Sequence, residues 1–149
     1  MYNIYKRIKR GHNVFFYSSD ETEQGGKVEL KEEESNGMKI RRFPIKRKIG
    51  YALWFNFKKE ALELIPDVII CHGLRKPYLG PATKIAKKIG AKCFLVTHAP
   101  FIEKELRNWK LNAIIRLYDY FFGIGIMNRF DNVIAICKWE KKNLIELGC

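Results

Sequence analysis

A chain of 149 residues, 47% of them apolar and 30% charged, is long enough for one domain with a real core and too apolar to be a disordered tail. Its formal charge of +12 is unevenly spread, so a local basic face, more than a general one, needs explaining. Four cysteines, Cys71, Cys93, Cys137 and Cys149, lack the close spacing of a disulfide framework, and the first three fall inside apolar runs, so reduced buried thiols in a cytosolic protein are expected.

In chain order, Met1, Ile4, Tyr5 and Ile8 share a helical face that Gly11 would close. Asn13 to Ser18 reads as a strand, and an acidic loop follows in which Val28 to Leu30 could form a short extended piece. Met38 to Phe43 is strand-like and ends at Pro44. Trp54, Phe57, Ala61 and Leu64 recur at helical spacing up to Pro66.

A β-branched run at 68–71 is followed by a helix with Pro81 in its first turn, a stripe of Ala82, Ile85, Ala86 and Ile89, and Gly90 as its stop. The strand at 93–97 leads to a helical region whose face is Leu106, Trp109, Ala113, Leu117 and Tyr120, broken by Gly123 and Gly125. A strand at 133–137 and a helix with Leu144 and Leu147 complete the chain. Alternating strands and helices predict a single α/β domain over 1–149: a Rossmann-like parallel sheet with helices on both faces. Ligands of such sheets sit beyond the carboxyl ends of the strands, so His72, Thr97, His98 and Cys137 are aimed at one rim.

No secretory signal opens the sequence, and the most apolar stretch, Leu111 to Met127, carries Arg116 and Asp119 and is shorter than the ~20 residues of a spanning helix. A cytoplasmic protein is expected, peripheral at the inner face of the membrane if it touches one. Between Met38 and Lys59 stand eight Lys or Arg and no acid, whereas Asp20 to Glu34 holds seven acids against Lys27 and Lys31. Lys46, Arg47, Lys48, Lys58 and Lys59, with Trp54 among them on a short helix, suit the interface of an anionic membrane. The alternatives are a solvated basic face over a core of Trp54 and Phe57, or an RNA-binding surface, although no recognition helix or stacking sheet accompanies the charge.

Four motifs occur in order: Lys9-Arg10-Gly11-His12-Asn13-Val14, Pro66-Asp67-Val68-Ile69-Ile70-Cys71-His72-Gly73, Leu95-Val96-Thr97-His98-Ala99-Pro100-Phe101, and Asp131-Asn132-Val133-Ile134-Ala135-Ile136-Cys137 with Glu140 and Leu144-Ile145-Glu146-Leu147-Gly148. Together with Arg116-Leu117-Tyr118-Asp119 ahead of a glycine break, they resemble the amino-terminal domain of family 4 glycosyltransferases, enzymes of the GT-B type. The resemblance implies sugar transfer from a nucleotide-sugar to an acceptor with retention of configuration, this half supplying the acceptor side of the cleft. His98 matches the histidine of the family's Thr-His turn, near the donor sugar, and is the implied catalytic group; a turn-capping histidine is its structural alternative. His72 and Gly73 would line the acceptor floor, with Thr97, Cys137 and Lys138 as further substrate contacts, Cys137 standing where the family usually has serine. His12, on a helix-to-strand turn, reads as structural.

Cys71, His72, Cys93, His98 and Cys137 lack zinc-knuckle spacing, and no Walker loop, Gly-x-Ser-x-Gly elbow or His-Glu-x-x-His helix occurs, so no metal or cofactor is expected. Relative to the family pattern the sequence does not contain the first strand with its glycine-rich loop, nor the donor-binding carboxyl-terminal domain. The expectation is a part: a fragment, a gene remnant or one subunit of a split transferase, without turnover alone and engaging donor and acceptor only with a second domain or chain. Absence of that strand would leave its neighbours with unpaired apolar edges.

Overall fold

A computed structural model describes residues 10–22, 24–49, 52–98 and 108–149; the helix expected around Met1 to Ile8 lies outside these, as does Leu106. Two units follow one another, Met1–Lys59 and Glu60–Cys149.

In the first unit, β1 (Val14–Ser19) pairs in parallel with β3 (Met38–Phe43), and β2 (Glu32–Ser35) adds antiparallel to the other edge of β3. The extended piece therefore falls on the acidic run, not on Val28 to Leu30, which lies outside any strand. The reason is charge: β2 places Glu32 opposite Arg41, and Glu32 and Glu33 form ion pairs with Arg41 and Arg42. Immediately after Pro44, β4 (Ile45–Ile49) and β5 (Ala52–Phe55) make an antiparallel ribbon with an irregularity between Ile45 and Arg47. Trp54 thus belongs to a strand, and the helix expected from Trp54 starts only at α1 (Lys58–Leu64). Apparent 3.6-residue spacing arose because Trp54 and Phe57 straddle a strand-to-helix junction. Phe43 stacks on Phe55 at 6.0 Å between ring centroids and takes Tyr17 edge-on at 5.1 Å, a small aromatic core that Phe57 closes.

The second unit is built on three parallel strands, β6 (Val68–His72), β7 (Lys92–Val96) and β8 (Asn132–Ile134), in that order with β7 central. Between the first two lies α2 (Leu79–Ile89), whose Ala82, Ile85 and Ala86 are buried as the stripe requires; Gly90 ends it at φ 76°, a conformation that favours glycine. The core gathers Leu74, Leu79, Cys93, Leu95, Met127 and Leu144. The parallel βα units of the expected fold class are present, while the strands of the described residues are distributed over three sheets.

Two expectations change in the last third. α3 (Trp109–Tyr118), capped by Asn108, does not break at Gly123 but continues through a π-helical turn, Asp119–Gly123, into α4 (Ile124–Met127). Its expected packed face is open: Trp109, Leu117 and Tyr120 are all exposed and border a shallow groove of about 500 Å³. Large apolar side chains occur around the whole circumference, including Ile114, Phe121 and Phe122, and the buried side is set instead by Asp119, Gly123 and Met127. β8 stops at Ile134, so Cys137 is no strand residue; it is exposed and precedes α5 (Lys138–Glu146) as its N-cap. Cys71 and Cys93 are buried free thiols.

Candidate active site

His72 ends β6 directly opposite Val96, and the Gly73 N–H donates to the Val96 carbonyl at 2.7 Å, so both strands finish level. Beyond Val96 the chain turns at Thr97 and enters the left-handed region at His98, φ 54°. That turn brings the two imidazoles together: His72 Nδ1 lies 2.8 Å from His98 Nε2, with ring centroids 5.1 Å apart. One nitrogen donates its proton to the other, an arrangement that double protonation destroys. Partial desolvation, then repulsion from His98, holds His72 below the ordinary histidine range. Both rings are exposed at the rim.

Each histidine sits on a turn tied to a buried carboxylate. After His72, Gly73 adopts φ 83° and Arg75 φ 60°; the Arg75 guanidinium grips Asp119 through two hydrogen bonds, 2.8 Å from Nε and 2.6 Å from a terminal nitrogen. Asp119 opens the π-helical turn and is 4% exposed. A Cβ on Gly123 would stand 3.0 Å from its Oδ1, so glycine there leaves the carboxylate room. The Tyr78 hydroxyl also donates to the His72 carbonyl, and burial pushes that phenol up to about 12.

Before His98, the Thr97 hydroxyl donates to Glu140 Oε1 at 2.6 Å, and Glu140 Oε2 accepts the Ile136 N–H at 2.6 Å. Glu140 is 0% exposed and Thr97 1%. Glu140 is the third residue of α5, where an acid reaching back over the helix start is a common cap; its other oxygen here crosses to Thr97, just past the end of β7. Thr97 is therefore not at the surface, while Cys137 and Lys138 are exposed on the turn that Ile136 and Glu140 pin. Arg75, Asp119 and Glu140 were not singled out as site residues from sequence; the only signal was the position of Asp119 and Glu140 inside recurring motifs.

The residues grouped as a membrane surface do not share one helix. Lys46, Arg47 and Lys48 lie on β4 and Trp54 on β5, with the Arg47 guanidinium 5.7 Å from the Trp54 ring, whereas Lys58 and Lys59 start α1. Lys48 is paired with Glu21. Among the described residues no helix is long and apolar enough to cross a membrane, and no group of three or more His, Cys, Asp or Glu is placed to hold a metal ion. His12, by contrast with the pair, lies before β1 in the other unit.

Parallel strands with helical connections, ending level at one carboxyl-end rim, fit a Rossmann-like domain. The family model for Glycosyltransferase Family 4 matches residues 7–149, and the chain belongs to that family, whose domain is of the Rossmann-like GT-B type. Its function is accordingly of the glycosyltransferase type. No curated protein matches the sequence.

Proposed function

We propose that this domain forms the acceptor side of a retaining glycosyltransferase, with His98 and His72 facing the sugar undergoing transfer. The observation that carries the reading is the 2.8 Å imidazole pair at the ends of adjacent parallel strands. In the reaction the bond between the anomeric carbon and the nucleotide phosphate oxygen breaks, a bond to the acceptor oxygen forms on the same face, and the acceptor's proton leaves with the phosphate. An imidazole N–H at His98 hydrogen-bonds the sugar or the departing phosphate, whose charge grows in the transition state. His72 and Gly73 form the acceptor floor, and Lys138 supplies a cation on the neighbouring turn. A donor-binding wall on a second domain or chain is required, because orienting both substrates is much of this catalysis.

A lipid-linked acceptor suits the cationic ribbon. Lys46, Arg47, Lys48, Lys58 and Lys59, with Trp54, face an anionic membrane at up to roughly 1 kcal/mol per cation. Flotation with vesicles containing or lacking anionic lipid tests that part; retention on RNA with indifference to lipid charge would replace it.

The transfer reading is tested by incubating the chain with a nucleotide-sugar and a polyprenyl phosphate, with and without a donor-binding domain supplied in trans. Transfer should require that domain and fall at least about tenfold in His98→Ala, the loss of one transition-state hydrogen bond. His12→Ala should leave turnover unchanged. Equal turnover in His98→Ala and wild type would refute the assignment.

A further inference from the structure

Thr83, Thr97, Asp119 and Glu140 are the buried polar side chains among the described residues, and all but Thr83 serve the turns that carry the histidines. A helix start is capped as well by an exposed Ser or Asp, and a carboxylate withdrawn from water costs stability unless every bond to it is well made. Stability alone therefore accounts poorly for placing acids at these points. Their bonds go to turns with unfavourable backbone geometry: Asp119 to the side chain of Arg75 at φ 60°, Glu140 to the residue preceding His98 at φ 54°. Non-glycine residues in this region persist only where surrounding contacts over-determine them.

We infer that Asp119 and Glu140 are positioning residues: Asp119, through Arg75, fixes the His72 turn and Glu140, through Thr97, fixes the His98 turn, so that the two imidazoles meet. Neither carboxylate touches substrate. The π-helical turn has a place in this scheme, since it carries Asp119 and the side-chain-free Gly123 against it. The inference rests on the pair being the sugar-facing site, but the bracing itself is read without any sugar.

The test uses the full chain with labelled histidines, of which it has three, so that His12 is an internal control. In the wild type, histidine NMR should show the His72 titration held low and coupled to its neighbour His98, with the His12 ring as a reference outside the pair. Thr97→Val, which removes only the hydroxyl, and Glu140→Gln should uncouple the pair and move the His72 midpoint up toward 6.5, the ordinary histidine value. Thr97→Ser should restore wild-type coupling, and Asp119→Asn should uncouple from the opposite side. A merely structural role lowers the melting temperature without changing the coupling. Folded Thr97→Val with wild-type coupling overturns the inference, and so does loss of the native fold in Thr97→Val, which would make the bond a core requirement. Because no sugar is present, either result leaves the transfer reading to its own assay.

Discussion

The two units solve the problem of charge in opposite ways. In the first, acids and bases meet near the surface: Glu21, Glu32 and Glu33 answer Lys48, Arg41 and Arg42 across strands and loops, and the core beneath is a handful of aromatic rings. In the second, an aliphatic core surrounds two buried carboxylates, each bonded to a turn at the rim. A segment that reads as a bare basic stretch is thus partly neutralised by fold, whereas Asp119 and Glu140 of the second unit are buried and bonded to the turns beside the histidines. Charge near solvent is inexpensive and loosely directed; charge in the interior is costly and sharply directed.

The comparison can be broken most forcefully at the cores. Phe43→Ala, at a 5% exposed ring, should cost about 3–5 kcal/mol, and Leu95→Ala, at a 0% exposed side chain, about 2–5 kcal/mol, both measured by urea unfolding. Values below about 1 kcal/mol at either site would show that its core is not assembled as described. Acid should separate the units next. His72 is held below the ordinary 6.5, so the unfolded chain binds its proton first; the stability it contributes is complete above 6.5 and lost as pH falls toward the folded-state value. Glu33, held below 4.5 first by its hydrogen bond to Arg42, contributes stability that disappears only as pH falls from there through its folded value. Hydrogen-exchange protection, taken relative to the intrinsic rate at each pH, should therefore fall in β6 and β7 before β2 and β3 on acidification, and the reverse order would contradict the assignment.

Salt gives a smaller contrast in the other direction. Raising ionic strength shortens screening to a few ångströms and should speed exchange of the β2–β3 amides more than that of the β6–β7 amides, where Lys92–Asp131 is the exposed pair. The smallest effect is expected from Lys46→Gln, a cation on the irregular part of β4: stability unaltered, with a modest loss of flotation on anionic vesicles. Unaltered flotation would remove Lys46 from the proposed membrane surface.

Much of the second unit was legible in the sequence because parallel βα units leave plain marks. The β-branched run before His72, the apolar stripe of Ala82, Ile85 and Ala86, and Gly90 at its end each follow from burial or backbone freedom that only such residues satisfy. The shared rim of His72 and His98 followed from strand polarity alone, though not their direct hydrogen bond, which depends on the left-handed turn at His98. What escaped is set by tertiary pairing. β2 has no apolar alternation and exists because β3 presents cations to it; Trp54 belongs to a ribbon whose spacing mimics a helix; Gly123 looks like a helix stop until Asp119 occupies the space beside it. Glu140 stood in a recurring motif without a visible partner, since Thr97 lies 43 residues away in the sequence.

Histidine-detected NMR during titration with a nucleotide-sugar, in the presence of the donor-binding domain supplied in trans, reads the proposed joint task of His72 and His98 most directly. The ring signals of His72 and His98 should move together and saturate with one affinity while those of His12 stay fixed. Movement of His12 alone, or of none of the three, would contradict the account.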